Sequence, residues 1–583
     1  MRILFLGRHY TYFRNFESVI VTLAERGHVV HAAVEHVDSL GGRAMIEGLA
    51  ARFPDRVTFG ESPVRSADDT WGDVANWIRL GLDYQRYQHP LYDEAPRLRQ
   101  RAADRTPDLF VSLSRAPGRR WLGAAQRALL RRLERALPED AAVRAYLEVQ
   151  RPDLLLITPL IGLGSSQIDY LRSARAMGIP TAMCVWSWDH LSSKALIREW
   201  PDRIFVWNET QKREAVELHG VPPSRIAVTG AQCFDQWFDR QPSRDRAAFC
   251  AAAGVPSDRP IVVYVCSALL QGSPPEAPFV VDWIRRVRAS TSPQLASAVI
   301  LVRPHPSRLA EWDGLDLAPL GPVALWGRNP VDAQARNDYF DTLYYASVVA
   351  GLNTSAFIEA GIVGRQVCTV LAPEFHENQM GTLHFRYLRS VGGGLLTVAD
   401  DFPTHLAQLA AAVEGPAPSP AGFVREFVRP LGLTTPATAV FADAVEGMRG
   451  LAGPPAVPVP APWPSLLAAI RTARRRGWFE RWFLSAREYQ SVMALRAASA
   501  TKHERNLAVE RTREAQEQAR LDDRRRRDSE KAARQMAHEA AKRSRAEKHR
   551  GQKARGRRRH RLSQGWQAVS RRIFGTPRAP EER

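Results

Sequence analysis

Short apolar runs rich in Val, Ile and Leu recur along most of the chain, spaced by segments of helical periodicity. In order they are RILFLG (2–7), VVHAAV (29–34), DLLLIT (153–158), TAMCVW (181–186), RIFVWN (203–208) and RIAVTG (225–230). A second set follows: IVVYVCS (261–267), AVILVR (298–303), VALWG (323–327), SVVAGLN (347–353), QVCTVL (366–371) and GLLTVA (394–399). Runs this continuous have no polar face, so they predict strands of parallel sheets covered by helices on both sides. The pattern predicts an α/β fold of two Rossmann-type halves, residues 1–240 and 258–450, with a hinge at the polar break 240–260. Two helix-patterned stretches, 71–101 and 119–150, interrupt the first half and are expected over its carboxyl edge or flank.

Beyond residue 450 the pattern stops. GPPAVPVPAPWP (453–464) reads as a semi-rigid linker, placed at 451–464. Residues 465–583 form a tail that is helix-permissive at 500–560 but lacks a sustained heptad seam, so a coiled coil has little support. The run GQKARGRRRHR (551–561) is expected to be disordered.

Charge separates these parts. The chain has a formal net charge of +19, yet the tail from Ser465 holds 33 Lys and Arg against 14 Asp and Glu, so the remaining body balances to zero. The five cysteines show no paired or metal-ligand spacing and read as small buried hydrophobes, which suits a reducing cytoplasm. The amino-terminal apolar run is too short for a signal peptide, and no stretch approaches a membrane span.

Ligands of open α/β sheets sit beyond the carboxyl ends of the strands, so chemistry is sought at the strand exits. His9 follows the first strand. Ser267 follows the first strand of the second half. VRPHPSRLAEW (302–312) leaves its strand through Arg303, Pro304, His305 and Pro306. Two prolines end a sheet ladder and fix the exit, which makes this either a rigid turn or a mount for Arg303 and His305. GLNTSAFIEAG (351–361) brings Asn353, Thr354 and Ser355 to a helix start, where free N–H groups suit an anion, with Glu359 one turn on. Asp189, His190 and Lys194 follow another strand in WSWDHLSSKALIREWPD (186–202), which reads equally as a packing loop. EFHENQMGTLHFRYL (374–388) offers His376, Glu377, Thr382 and His384 to a pocket in the second half. GLGSS (162–166) lacks the third glycine of a dinucleotide fingerprint. No metal-ligand spacing is present, so no metal and no cofactor is expected.

Three segments together carry a resemblance: RPHP, NTSAFIEAGIVGRQV, and RIFVWNETQKREAVELHGVPPSRIAVTGAQCFDQWF. They resemble the GT-B glycosyltransferase superfamily over residues 1–450, nearest to bacterial CDP-glycerol glycerophosphotransferases and capsule or teichoic-acid-type transferases. The resemblance implies a nucleotide-activated donor held by the second half and an acceptor held by the first. It implies that Arg303 and His305 face the donor phosphates, that Thr354 and Ser355 hold the diphosphate, and that Glu359 binds the ribose. His9 takes the place of a general base, with Asp189 as its rival. The expected activity is transfer of a sugar or polyol phosphate to a cell-surface polysaccharide or related acceptor. A non-hydrolysing nucleotide-sugar epimerase and an inactive scaffold remain as alternatives.

The tail lies outside the resemblance. Leu562, Trp566, Val569 and Ile573 recur at helical spacing beside Arg571 and Arg572, as in an interfacial amphipathic helix. This predicts a cytoplasmic protein that docks peripherally on anionic membrane. A solvated tail is the plain alternative, and nucleic acid ranks third because no recognition motif accompanies the charge.

Overall fold

The computed structural model describes residues 1–37, 41–65, 69–115, 120–415, 419–451 and 460–570. The first half contains seven parallel strands: β1 (Arg2–Gly7), β2 (Val29–Val34), β3 (Val57–Glu61), β4 (Leu154–Thr158), β5 (Thr181–Cys184), β6 (Arg203–Val206) and β7 (Ile226–Val228). The second contains six: β8 (Ile261–Val265), β9 (Val299–Arg303), β10 (Val323–Leu325), β11 (Val348–Gly351), β12 (Gln366–Val370) and β13 (Leu396–Ala399). Their orders are β3-β2-β1-β4-β5-β6-β7 and β10-β9-β8-β11-β12-β13. Each sheet reverses direction of growth beside its first strand, between β1 and β4 and between β8 and β11. This is the two-Rossmann architecture that the apolar runs predict.

Burial on both faces explains the runs. Along β1, Ile3 and Phe5 enter one core while Leu4 and Leu6 enter another. Along β8, Val262 and Tyr264 face away from Ile261, Val263 and Val265 in the same manner. All twelve expected strands form, most of them shorter than their apolar runs. The additional strand, β3, buries only Val57 fully, and its polar edge position left no apolar signature. Four of the five cysteines are buried and all are unpaired.

The helical stretches of the first half build a small core of their own. Val74, Ile78 and Leu82 of the helix Thr70–Arg86 pack with Leu130, Leu133 and Leu137, at and just beyond the helix Arg120–Ala136. A buried ion pair, Arg198 with Asp83 at 2.8 Å, ties this layer to the loop before β6.

The expected boundaries need two corrections. Residues 437–448, grouped with the second half by sequence, return to the first. The helix Ala437–Glu446 inserts Phe441 between Phe16 and Phe205, at ring-centroid distances of 5.9 and 5.0 Å. Residues 463–489, divided by sequence between the end of the linker and the tail, belong to the body: Leu467 of the helix Trp463–Arg475 is 1% exposed in the core of the helical layer. An apolar residue every third or fourth position was present there, but the neighbouring charge masked it.

The chain therefore passes between the halves twice. Asp235, on the first passage, accepts from Arg429 Nε and Nη2 at 3.0 and 2.7 Å on the second. It also accepts from the backbone N–H groups of Ala437 and Thr438 at 3.1 and 2.6 Å.

Residues 1–489 form one compact unit, and the chain from Gln490 forms another. The second unit continues the helix Ala486–Ser570. The expected disorder at 551–561 is not seen there: the backbone is helical, as Ala, Arg, Glu, Lys and Gln permit. Residues 562–570 are helical as well, while Ile573 lies outside the described residues. Among the described residues no helix is long and apolar enough to cross a membrane.

Candidate functional site

The carboxyl edge of the second sheet collects the strand-exit residues in one row. Val265 of β8 pairs with Arg303 of β9 on one side and with Gly351 of β11 on the other. The exits of Arg303 and of the loop to Asn353 are thus two strand spacings apart, about 10 Å.

Arg303 is a largely buried charge on this edge. Its Nη2 donates to the carbonyl of Arg328 at 2.8 Å, and its Cζ lies 4.1 Å from the Tyr339 ring centroid. Nη1 is buried without a partner. Gly327 makes the fit possible: a Cβ there, at φ +102°, would stand 1.8 Å from Arg303 Nη1. The Tyr339 hydroxyl in turn donates to Glu359 Oε2. Burial pushes Glu359 up to about 7, against the lowering pull of Tyr339, of Arg303, and of Arg14 from the first half. Arg303 and Glu359, far apart in sequence, therefore join through Tyr339, which sequence reasoning missed. Tyr339 lies mid-helix in Ala333–Tyr344 with no motif around it.

A second group forms beside them. The Ser267 hydroxyl accepts from Asn353 N at 3.2 Å, and Ser267 N donates to Glu276 at 2.7 Å. Asn353 Nδ2 reaches the Asn378 carbonyl at 2.6 Å and the Thr382 hydroxyl at 3.4 Å. This leaves Asn353 Oδ1 buried without a partner. Glu377 Oε2 is likewise buried and unpartnered, whereas His376 is exposed.

Other expected residues have local duties. His305 Nδ1 accepts from Ser307 N at 3.3 Å, capping the turn Pro306–Trp312. Burial, assisted by Arg308, pulls its imidazole below the usual range. With Nδ1 accepting, the neutral ring carries its proton on Nε2. Thr354 Oγ1 accepts from Ala356 N at 3.4 Å, while Ser355 is exposed and makes no capping bond.

Across from this edge, the first half presents its own exits. His9 Nδ1 lies 3.4 Å from the His36 carbonyl, and its ring stacks on Tyr12 at 6.0 Å. Next to it, Glu35 at the end of β2 is buried, accepts from Ser166 at 2.7 Å and sits 4.0 Å from Arg8. Burial raises its carboxyl, with Ser166, Arg8 and His36 opposing. A strand-end position was the available signal for Glu35.

Asp189 and His384 meet between the halves. His384 packs edge-on against Trp188 at 4.5 Å, and burial pulls it down to about 4. Asp189 accepts from Ser187 at 2.6 Å and Ser193 at 2.7 Å and pairs with Lys194 at 3.4 Å. Burial opposes its charge, but Lys194, His384 and the two hydroxyls outweigh it and hold Asp189 well below the carboxylate range. A carboxylate so stabilised is suited to holding a cation more than to accepting a proton. Among the described residues no cluster of three or more His, Cys, Asp or Glu side chains is placed to hold a metal ion.

No protein-family profile matches the chain, and no curated protein matches it. Some solved structures are similar to it at low scores. WaaG, a glycosyltransferase involved in lipopolysaccharide biosynthesis, is similar at a TM-score of 0.40 and 11% identity, over 77% of this chain and 100% of its own. HepE of Anabaena, in complex with UDP, gives 0.42 and 11% over 77% and 100%. A UDP-GlcNAc 2-epimerase of Methanocaldococcus jannaschii gives 0.43 and 11% over 77% and 99%. The two sheet orders establish the fold by themselves.

Proposed function

We propose that the protein transfers a sugar or a polyol phosphate from a nucleotide-activated donor to a cell-surface polysaccharide or related acceptor. The observation that carries this reading is the Arg303–Tyr339–Glu359 cluster at the reversal point of the second sheet. A guanidinium with a buried free N–H stands beside a carboxylate on the edge where such sheets bind ligands. A departing nucleotide gains negative charge as its bond to the donor breaks, and a fixed guanidinium stabilises that charge without reorganising. In this proposal Glu359 accepts from the ribose hydroxyls, and Ser267, Asn353 and Thr382 shape the donor pocket with Glu377 and His384. His9 is the acceptor-side base and Glu35 its nearest competitor. No resident cofactor is required for these roles.

The test is nucleotide release from UDP-, GDP- and CDP-activated donors, CDP-glycerol included, with and without a polysaccharide acceptor. Acceptor-dependent release supports the proposal. Donor conversion without acceptor marks an epimerase, and silence across the panel marks a scaffold.

Glu359 makes the reading pH-sensitive. A carboxyl poised at about 7 is largely protonated at pH 6 and largely ionised at pH 8. Only the ionised form accepts from both ribose hydroxyls. Donor affinity should therefore rise by roughly five- to tenfold from about pH 6 to about pH 8. Glu359→Gln should bind weakly at both pH values, and a variant that keeps the slope would remove Glu359 from the donor site.

We also propose that the basic tail brings the enzyme to anionic membrane. Each basic residue near such a surface contributes up to about 1 kcal/mol, and salt screens that attraction. Full-length protein should co-sediment with anionic vesicles at low salt, and a chain ended after residue 489 should not. Equal sedimentation of the two would assign the contact to the body.

A further inference from the structure

A cavity of about 520 Å³ opens on the opposite edge of the first sheet. Ala176 comes shortly before β5, residues 198–200 shortly before β6, and Arg225 directly before β7, so this wall is the amino edge of the strands. The other wall is the end of the helix Arg120–Ala136 and the turn after it. The space is lined by six arginines and three glutamates.

Much of that charge is already committed. Glu134 pairs with Arg79 and Glu139 with Arg144, each at 3.0 Å, and Arg198 is taken by Asp83. Arg131, Arg135, Arg172, Arg175 and Arg225 remain with Glu199, although Arg172 also donates to the carbonyls of Arg135 and Leu137, Arg175 to that of Trp200 and Arg225 to that of Pro201. That one carboxylate lies 3.0 Å from Arg175 and 3.9 Å from Arg172, while Arg225 approaches Asp202 at 3.7 Å. The acids do not satisfy the donors: Arg172 Nη1 and Arg175 Nε are buried with no partner. Glu134 Oε2 is buried without a partner as well, so the lining guanidinium groups and carboxylates do not meet in matched pairs and buried N–H groups are left unsatisfied. Burial, together with Arg127 and Arg135 on the same helix, lowers the Arg131 guanidinium pKa.

We propose that this cavity binds a phosphorylated small molecule, of the nucleoside polyphosphate class, with its phosphates on Arg131, Arg135, Arg172 and Arg175. Phosphate offers several acceptors to planar guanidinium forks, where a carboxylate offers only two oxygens. The volume suits a small ligand and not a macromolecular segment. Trp200, half-buried, supplies an apolar wall for the non-phosphate part. The site is independent of the donor edge, since it lies at the other end of the strands.

Hydrogen–deuterium exchange on the full-length protein tests this, with inorganic tripolyphosphate and ATP as separate probes at about 150 mM salt, where non-specific contacts to the tail are screened. Either probe should slow exchange in peptides covering residues 131–139 and 172–176. Arg131→Ala with Arg135→Ala should raise the concentration needed by about tenfold or more. Arg524→Ala with Arg525→Ala, in the tail, should change nothing. ATP acting at lower concentration than tripolyphosphate supports the apolar wall, and equal potency removes that wall from the proposal. Absence of protection at about 10 mM of both probes, protection confined to residues 303–359, or an equal loss in the tail variant would overturn the site.

Discussion

Arg303→Ala should lower nucleotide release by on the order of 100-fold or more, while the protein stays folded. The residue is 9% exposed, stacked on Tyr339 and anchored to the Arg328 carbonyl, so it presents its charge at one fixed place. Its removal takes away the only guanidinium argued to meet the charge of the departing nucleotide. Arg303→Lys keeps the charge but loses the planar fork and the stacking, and should recover only part of the rate. Gly327→Ala offers an independent approach. The added Cβ occupies the space of Nη1, so Arg303 must move although every donor-site side chain is retained. Purified variants compared by initial rate and by thermal midpoint decide the matter. Near-normal release by Arg303→Ala would return the strand exit to a purely structural turn.

Asp235→Ala should destabilise the body by about 3–5 kcal/mol, because it leaves the Arg429 charge buried without its partner. Arg429 is 5% exposed on its side chain and rests 3.6 Å from the Phe238 ring centroid, so water cannot readily replace the carboxylate. Two backbone N–H groups lose their acceptor in the same step. Asp235→Ala combined with Arg429→Met should cost less than Asp235→Ala alone, since no orphaned charge remains. Denaturant midpoints for the two variants provide the comparison. A double variant as unstable as the single one would show that the N–H groups, and not the ion pair, hold the two passages together.

The sheets were legible in the sequence because parallel strands buried on both faces must be apolar throughout. The edge residues were legible as positions, since strand exits are where ligands bind, and Arg303 and Glu359 do come together. The partners that unite them were not. Tyr339 sits on a helix with no local motif, and Glu35 follows a strand without an accompanying signature. His305 shows the converse: its flanking prolines drew attention, yet the ring caps its own turn. Charge misled at residues 463–489, where a helix that completes an apolar layer is coloured by the basic tail that follows it.

The return of the helix Ala437–Glu446 to the first sheet has a consequence for the order of events during synthesis. Phe441, Val445 and Met448 complete the core that Phe5, Phe16 and Phe205 begin. A nascent chain that has delivered only its first 240 residues therefore displays an unfilled apolar face. Domains commonly fold from the amino terminus as they emerge, but this one must wait for the whole second half. The interval exposes it to aggregation, and separate expression of the two halves should yield an insoluble first half unless residues 437–448 are supplied with it.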